Sequence, residues 1–385
     1  MSLGAFSLAL LLGTVNAACA PAPSAPAALA PERSAGAPQQ VWRSKAGRRF
    51  TGRVVVAGET IYAGSVDRKV YAIDLASGRT LWSMRLGGLI GGGVLVSGDT
   101  VYAATSRPEG RVHALDARSG RRFWRASTGP VGAALALLDG VLVAETQRGE
   151  VIGLEPGTGE VRWRRRLGVA RIAAARGDSG TMIVATVDSL FRVRIADGRV
   201  VRRARSPGAV VSPWIEHRGA LVGGTTDSLV VAIGRGDLKP RWRAALDAPV
   251  LGSPAAMGTV IYAASRRGTL YRITVDSGDS APVADSGATR SGSAAADAGA
   301  LGSAPASGAV ASAVAELAWA VTGPVTILDG LVLLGGADGT VRALRPDGRE
   351  VWRLQLKWPI EIGPLPLADG MLAIGGDGDL HRYRR

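Results

Sequence analysis

A motif of about 40 residues recurs along the chain, and it limits the possible folds more than any other feature. Each copy has two short apolar runs around a Gly-containing turn, then Ala-hydrophobic-Asp-x-x-Ser/Thr-Gly, and a Trp four residues after that Gly. The clearest copies occupy residues 70–82, 112–124 and 151–163. Self-similarity at one period is typical of repeat architectures, in which each unit buries its apolar face against its neighbours.

The repeat tryptophans define the number of units. From Trp42 to Trp163 they follow at intervals of 40, 42 and 39 residues, and Arg202 stands where the next one is expected. Residues 277–315, rich in Ala, Ser, Gly and Asp, lengthen a later interval, and we interpret them as a disordered insertion. This interpretation predicts eight units, seven of which carry a structural Trp: Trp42, Trp82, Trp124, Trp163, Trp242, Trp319 and Trp352.

The units contain short apolar runs separated by Gly and Asp turns, with no pattern for a helix longer than one turn. Consecutive apolar positions favour strands that are buried on both faces. We therefore predict an all-β, eight-bladed β-propeller of four-stranded antiparallel blades. A solenoid of the same units is the alternative, but it needs capping ends. The Trp-bearing strand at 40–43 stands alone and the strand at 380–383 lacks that partner, so pairing of the N-terminal and C-terminal strands closes a monomeric ring.

The units resemble the repeat of the pyrroloquinoline quinone (PQQ)-like propellers. This resemblance implies that the Trp of one blade docks on the Gly turn of its neighbour, which here concerns Trp82, Trp124, Trp163, Trp242 and Trp352. The family contains quinoprotein dehydrogenases and non-enzymatic scaffolds, among them a lipoprotein of the outer-membrane β-barrel assembly machinery. The dehydrogenases hold Ca²⁺ with Glu, Asn and the quinone, and many have a pair of adjacent Cys.

The site residues of the dehydrogenases are missing from this sequence. The only Asn is Asn16 and the only Cys is Cys19, and both lie in the N-terminal segment. The resemblance therefore implies a scaffold with no cofactor and no catalytic residues, with a PQQ-dependent oxidoreductase as the alternative. We expect protein partners, either barrel-assembly components or unfolded outer-membrane proteins.

The N-terminus has the pattern of an export signal. Residues 1–19 are apolar and end in Ala17-Ala18-Cys19, which resembles a bacterial lipobox, although Asn16 replaces the usual Leu or Val. Either Cys19 is lipidated, or an ordinary signal peptide is cleaved beside it. Residues 20–39 are a Pro/Ala-rich tether, and residues 40–385 form the propeller. We expect the protein in the periplasm, held at the outer membrane if Cys19 carries lipid.

The formal net charge of +14 raises the question of nucleic acid, but the arginines are spread over the whole chain. A nucleic-acid interface needs clustering on one face, so we expect no nucleic-acid partner. In a blade with strands A to D, the B–C and D–A connections share one face. On that face the sequence places the candidate partner-binding residues Arg68, Lys69, Arg107, Arg111, Arg148, Arg266, Arg267 and Trp358. A solvated charged rim with a locally packed Trp358 is an equally good interpretation.

Three other motifs have weaker functional interpretations. Gly177-Asp178-Ser179-Gly180 resembles a serine-protease nucleophile turn, but its position in the repeat favours a hairpin turn. His113, His217 and His381 are far apart in the sequence, which disfavours a three-His metal site. Asp377 and Asp379 offer too few oxygens for calcium, so we expect a turn there.

Overall fold

The computed structural model describes residues 36–107, 110–169, 174–275 and 309–385. Its regular elements are 32 β-strands, and the predicted all-β propeller of four-stranded antiparallel blades is confirmed. Among these residues no helix has the length and apolar character needed to span a membrane.

Blades are numbered here in chain order, and each contributes strands A to D. Blade 1 contains β2 (Phe50–Ala57), β3 (Thr60–Ser65), β4 (Lys69–Asp74) and β5 (Thr80–Arg85). Blade 2 contains β6 (Ile90–Ser97), β7 (Thr100–Thr105), β8 (Arg111–Asp116) and β9 (Arg122–Ser127). Blade 3 contains β10 (Ala136–Leu138), β11 (Val141–Glu145), β12 (Glu150–Leu154) and β13 (Val161–Arg166). Blade 4 contains β14 (Ala175–Arg176), β15 (Thr181–Ala185), β16 (Ser189–Arg194) and β17 (Val200–Arg205).

The second half of the chain repeats the pattern. Blade 5 contains β18 (Ile215–His217), β19 (Ala220–Gly224), β20 (Leu229–Gly234) and β21 (Pro240–Ala245). Blade 6 contains β22 (Ala255–Met257), β23 (Val260–Ala264), β24 (Thr269–Val275) and β25 (Ala309–Glu316). Blade 7 contains β26 (Thr326–Leu328), β27 (Leu331–Gly335), β28 (Thr340–Leu344) and β29 (Glu350–Gln355). Blade 8 contains β30 (Leu365–Leu367), β31 (Gly370–Ile374) and β32 (Asp379–Arg384), with β1 (Gln39–Lys45) as its strand D.

The burial of each strand follows its place in the blade. Strands B and C are buried almost throughout, as in β3, β4 and β11, because both faces of a blade pack on neighbouring blades. Strands D, such as β5 and β9, are mostly exposed because they form the outer edge. Continuous apolar runs in strands B and C are therefore required by this packing.

Eight hydrophobic clusters hold the blades together, and each cluster joins one blade to the next. One of them packs Leu372, Ile374 and Leu380 of blade 8 against Phe50 and Ile61 of blade 1. The other seven join blades 1 to 8 in chain order. The core is thus a series of interblade layers, and no blade buries its apolar residues alone.

A Trp on strand D docks on the C–D turn of the following blade. The glycines of these turns, Gly78, Gly120, Gly159 and Gly198, have φ between +68° and +78°. A Cβ added at Gly120 would lie 2.6 Å from Cε3 of Trp82, and Gly78, Gly159 and Gly198 face Trp42, Trp124 and Trp163 in the same way. Glycine is needed there for two reasons: the left-handed backbone, and the space that the indole takes.

The indole N–H fixes the depth of each docked Trp. Nε1 of Trp82 donates to the carbonyl oxygen of Ala117 at 2.9 Å, and Nε1 of Trp124 donates to that of Pro156 at 2.9 Å. The same two carbonyls also accept from the hydroxyls of Tyr62 and Tyr102. Each of these turns is therefore held by an apolar contact and by two hydrogen bonds from the preceding blade.

At the interface between blades 4 and 5, both the docked Trp and the turn Gly are replaced by other residues. Arg202 occupies the Trp position in β17, and it is exposed. At the matching turn position blade 5 has Leu238 instead of Gly, with a φ of +55° and no solvent exposure. Leu238 packs with Ile183, Leu190 and Ile233, so its side chain takes part in the core of an interface that has no docked indole.

The predicted pairing of the terminal strands is present. β1 runs antiparallel to β32, with Gln40 opposite Tyr383 and Arg43 opposite His381. Arg43 makes a bidentate contact with Asp379, in which Nε lies 3.0 Å from Oδ1 and Nη2 lies 2.6 Å from Oδ2. Asp379 is 2% exposed.

The acidity of Asp379 reflects this ion pair. Burial alone raises the pKa of the Asp379 carboxyl, but hydrogen bonding from Arg43 and the neighbouring charges outweigh burial and hold the pKa below its ordinary value. A lowered folded-state pKa means that the ionised carboxylate stabilises the paired strands above the unfolded-state pKa. That contribution is lost as the pH falls through the folded-state value.

Two sequence predictions about blade 6 need correction. Residues 309–315, predicted as the end of a disordered insertion at 277–315, belong to β25, which pairs along its length with β24. Ala and Ser here form a strand because the hairpin register, Val275 opposite Ala309, supplies the backbone partners that composition does not reveal. Residues 277–308 lie outside the described residues.

The second prediction to correct is that Trp319 is a repeat Trp, because Trp319 does not occupy the repeat position. The register of β24 and β25 places Ser312 opposite Arg272, where other blades have the docked Trp, and Trp319 follows the end of β25. Its indole lies against Gly336 of blade 7, and the guanidinium of Arg342 lies 5.4 Å from the ring centroid. Trp42, Trp82, Trp124, Trp163, Trp242 and Trp352 stand on their predicted strands.

Glycine at the docked turn allows a left-handed backbone and leaves space for the indole. Alanine substitutions at two glycines with the same φ of +71° separate these two roles. We expect Gly140→Ala, which has open space around its Cβ, to cost about 1 kcal/mol of unfolding free energy from backbone strain. Gly120→Ala meets the Trp82 ring as well, and we expect a further loss of about 1–3 kcal/mol. Denaturant unfolding measures both values, and equal losses would refute the steric role of the indole.

Truncation tests the closing strand. A chain that starts at Lys45 loses most of β1, the Trp42 contact and the Arg43–Asp379 ion pair, whereas a chain that starts at Gly36 keeps them. We expect the shorter chain to be less stable by at least about 3 kcal/mol, since it loses a packed Trp and exposes the edge of β32. Thermal unfolding and light scattering check this, and two equally stable monomers would contradict it.

Candidate partner-binding face

The B–C turns of all eight blades lie on one face of the ring, because every blade has the same antiparallel strand order. This face, called the B–C face, holds the candidate residues where the sequence predicts them. Arg68 and Lys69 lie at the turn of blade 1, Arg107 and Arg111 at that of blade 2, and Arg148 at that of blade 3. Arg266 and Arg267 form the turn of blade 6.

The structure brings only part of this set together. The basic turns of blades 1, 2 and 3 are consecutive, so Arg68, Arg107 and Arg148 occupy one continuous arc, and all three are exposed. Blade 6 stands apart, because blades 4 and 5 separate it from the arc on one side and blades 7 and 8 on the other. Arg266 and Arg267 therefore form a second, isolated basic position.

Hydroxyl side chains shape these turns, and the sequence reasoning missed them. A Ser or Thr at the end of strand B accepts a hydrogen bond from a backbone N–H across the turn. Thr146 accepts from Glu150 at 3.0 Å, and Thr225 accepts from Leu229 at 3.0 Å. Ser65, Thr105, Thr186 and Ser265 make related contacts in their own blades. The signal was available as a Ser or Thr that recurs three to six residues before strand C.

Carboxylates interrupt the positive charge of the B–C face. In blade 1 Asp67 stands beside Arg68, and its Oδ1 accepts from the backbone N–H of Lys69 at 3.1 Å. Asp227 and Asp338 likewise accept backbone N–H groups, and Asp377 forms an ion pair with Lys45. Asp67, Asp227 and Asp338 thus shape turns, whereas Arg107 and Arg148 are exposed.

Trp358 lies on the D–A connection between blades 7 and 8 and is 38% exposed. The Nζ of Lys357 lies 5.4 Å from the centroid of its ring. Its backbone oxygen lies close to Gly339, at the B–C turn of blade 7, so the connection and the turn pack together. Trp358 therefore presents an aromatic surface beside a cation on the same face as the arginine arc, with blade 8 between them.

The remaining motifs fall into structural roles. Gly177-Asp178-Ser179-Gly180 is the hairpin turn between β14 and β15, and the prediction of a turn is confirmed. His113, His217 and His381 lie in blades 2, 5 and 8. Burial, together with the positive charges of Arg122, Arg111 and Arg125, lowers the pKa of His113 to about 4. Asp377 and Asp379 flank the turn between β31 and β32.

Glu145 is a buried carboxyl that the sequence did not single out. It ends β11 and is 2% exposed, at a position where most other blades have Gly or Ala, for example Gly64 and Ala104. Burial raises its pKa to about 8, despite the nearby backbone amide of Ala174. Glu145 is therefore mostly protonated at neutral pH, as expected for an unpaired carboxyl in an apolar interface.

The described residues do not fit a quinone site of the dehydrogenase type. No three carboxylate or histidine side chains in the described ranges come together to hold a metal ion. The chain also has no Asn beyond Asn16 and no pair of Cys. No catalytic step through such a cofactor follows from this geometry.

Comparison with known proteins places the repeats in context. The family model described as outer membrane protein assembly factor BamB matches residues 34–109 and 108–211. No curated protein sequence matches the chain.

Several solved structures share the fold. BamB from Moraxella catarrhalis superposes with a TM-score of 0.72 at 15% identity, over 91% of this chain and 100% of that one. The computationally designed Ika8 protein gives a TM-score of 0.69 at 11% identity, over 90% of this chain and 100% of its own. Quinohemoprotein alcohol dehydrogenase from Comamonas testosteroni gives 0.62 at 13% identity, over 89% of this chain and 75% of the enzyme.

The family match and the fold agree with the pattern that was visible in the sequence. The repeats over residues 34–211 match the BamB family model, and the described chain has the fold of a β-propeller similar to that of BamB.

Proposed function

We propose that this chain is a non-enzymatic, exported scaffold that binds protein partners in the assembly of outer-membrane β-barrel proteins. The observation that carries the proposal is the match of its repeats to the family described as outer membrane protein assembly factor BamB. The superposition on the whole of a BamB chain supports it. Under this proposal the partner is a barrel-assembly component or an unfolded outer-membrane protein.

The B–C face has the chemistry that such a role requires. Arginine and tryptophan are the residue types that most often dominate protein–protein binding energy. Here the arc of Arg68, Arg107 and Arg148 supplies planar cations on three consecutive blades, and Trp358 supplies an exposed ring. Arg111, Lys69, Arg266 and Arg267 add charge that would attract an acidic surface and increase the rate of association.

We also propose that the protein acts in the periplasm and is held at the outer membrane through a lipidated Cys19. Cys19 and the tether lie outside the described residues. The support is the lipobox-like sequence that ends in Cys19, followed by a segment rich in Pro and Ala.

A PQQ-dependent oxidoreductase is the second candidate, favoured by the similarity of the fold to quinohemoprotein alcohol dehydrogenase. The fold alone does not assign a function, since one architecture carries many activities. The missing Asn and Cys residues weigh against this candidate.

Site-specific photo-crosslinking tests the scaffold proposal. A photoreactive residue in place of Trp358 probes the B–C face, and one in place of Lys239, at the C–D turn of blade 5, probes the opposite face as a matched control. In cells of the source organism we expect adducts with outer-membrane assembly components or barrel proteins from position 358 only. The same adducts from both positions, or none from position 358, would count against binding through this face.

A dye-reduction assay tests the enzyme candidate. The purified chain, incubated with PQQ and Ca²⁺, should show no alcohol-dependent or sugar-dependent reduction of an artificial electron acceptor, because it lacks the ligand residues of the dehydrogenases. A quinohemoprotein alcohol dehydrogenase serves as the positive control. Turnover that requires both PQQ and substrate would overturn the scaffold proposal.

A further inference from the structure

The outer strands of blades 3 and 4 carry an unusual concentration of arginine. Strands β13 and β17 together contain seven arginines in twelve residues and no carboxylate. The arginines, called here the arginine edge, are Arg162, Arg164, Arg165, Arg166, Arg202, Arg203 and Arg205. The other described outer strands contain at most two basic residues each, and β25 contains none.

Protection of an edge strand does not account for seven arginines on two outer strands. Exposed strand edges carry charged side chains because these discourage pairing with other chains, and one or two such residues suffice. Blades 1, 2 and 5 follow that pattern with one or two basic residues in their outer strands. The further positive charges on blades 3 and 4 repel one another and therefore call for another explanation.

Most of this charge is not neutralised within the described chain. Arg162 pairs with Glu155, and Arg164 lies 3.8 Å from Glu150. No carboxylate of the described residues forms an ion pair with the other five arginines.

Two of the five are oriented by neutral groups. The Arg165 guanidinium donates to the backbone oxygens of Arg164 and Asp197, at 2.8 and 3.2 Å. Arg203 donates to the Ser189 hydroxyl and lies 5.4 Å from the ring centroid of Phe191. Within the described chain, these contacts leave the positive charges exposed and without a carboxylate in an ion pair.

Exposed valines accompany the arginines. Val161 and Val201 are 42% and 52% exposed on the same two strands, and Val169, just after β13, is 47% exposed. The outer strands form the convex perimeter of the ring, so this mixture of cations and small apolar groups faces outward. A surface of this kind combines electrostatic attraction with shallow apolar contact.

We propose that the arginine edge is a docking site for the anionic headgroups of a phospholipid bilayer. Guanidinium groups form bidentate hydrogen bonds with phosphate, and each basic residue near an anionic membrane adds to the attraction. A fluid array of headgroups adapts to guanidinium groups on two separate strands, which a single acidic peptide strand does not. The valines would contact the boundary between the headgroups and the acyl chains. This site is separate from the B–C face and does not depend on the protein partner proposed above.

Vesicle co-sedimentation tests the proposal. The chain that starts at Gly36 keeps all 32 strands and has no acyl anchor. We expect it to bind vesicles of phosphatidylglycerol and phosphatidylcholine, and not vesicles of phosphatidylcholine alone. Raising the salt concentration to about 0.5 M should release it, because screening weakens the attraction.

Charge-matched variants locate the site. The edge variant Arg165→Gln/Arg166→Gln/Arg203→Gln/Arg205→Gln should bind anionic vesicles at least about tenfold more weakly. The control variant Arg68→Gln/Arg107→Gln/Arg148→Gln/Arg266→Gln loses the same charge from the B–C face and should bind as the parent chain does. A variant with Lys at the four edge positions keeps the charge and should retain most of the binding. Thermal unfolding of each variant shows whether the ring remains folded.

Three results would overturn the proposal. The first is equal binding to neutral and anionic vesicles, and the second is an equal loss in the edge and control variants, which would indicate net charge alone. The third is an edge that binds an acidic peptide or a nucleic acid but no vesicle. Crosslinking from position 358 tests the protein partner independently of the vesicle experiments. Failure of the scaffold proposal is therefore distinguishable from failure of the lipid-docking proposal.

Discussion

The contact between a Trp and the Gly turn of the next blade is the interaction on which the ring depends. It joins residues about 36 positions apart, and it orients blades 1 to 4 against the blades that precede them. A short turn such as that of Gly120 accepts the Trp82 ring only with a left-handed backbone and no side chain. The carbonyl of Ala117 then adds a polar anchor. The apolar contact and the hydrogen bond of the Trp involve the same few atoms of the turn. The repeat motif contains the residues that this geometry requires.

Much of the fold was predictable because the motif marks this contact directly. The strand order, the blade count and the pairing of β1 with β32 all follow from the spacing of the Trp residues and from the unmatched terminal strand. The errors occurred where the motif is absent. β25 is built from Ala, Val and Ser, so only its pairing with β24 makes it a strand. Trp319 has a suitable spacing but lies beyond that strand. The spacing of residues along the sequence does not determine the register of strand pairing.

The candidate site was predictable in position but not in detail. Topology placed Arg68, Arg107 and Arg148 on one face because B–C turns always share a side of the ring. The sequence could not show that Asp67 shapes the turn beside Arg68, or that hydroxyls such as Thr146 hold the turns. The arginine edge escaped notice because charge was judged along the chain, whereas strands from two different repeats bring these arginines to neighbouring blades. The arrangement of these arginines depends on the packing of neighbouring repeats, which the sequence of one repeat does not contain.

The exchange of Trp for Arg202 and of Gly for Leu238 has a consequence for the identity of the blades. At the four junctions from blade 8 through blade 1 to blade 4, a bare glycine turn receives an indole, while the junction of blades 4 and 5 has a filled turn and no indole. If blade 5 were moved to follow blade 3, Leu238 would collide with Trp163, and if blade 4 preceded blade 2, the glycine turn at Gly120 would meet no ring. The four Trp–Gly junctions are alike, whereas the junction of blades 4 and 5 fits only its own pair of blades. The position of blades 4 and 5 in the ring is therefore fixed by their shared junction, which limits shuffling or duplication of these two blades during evolution.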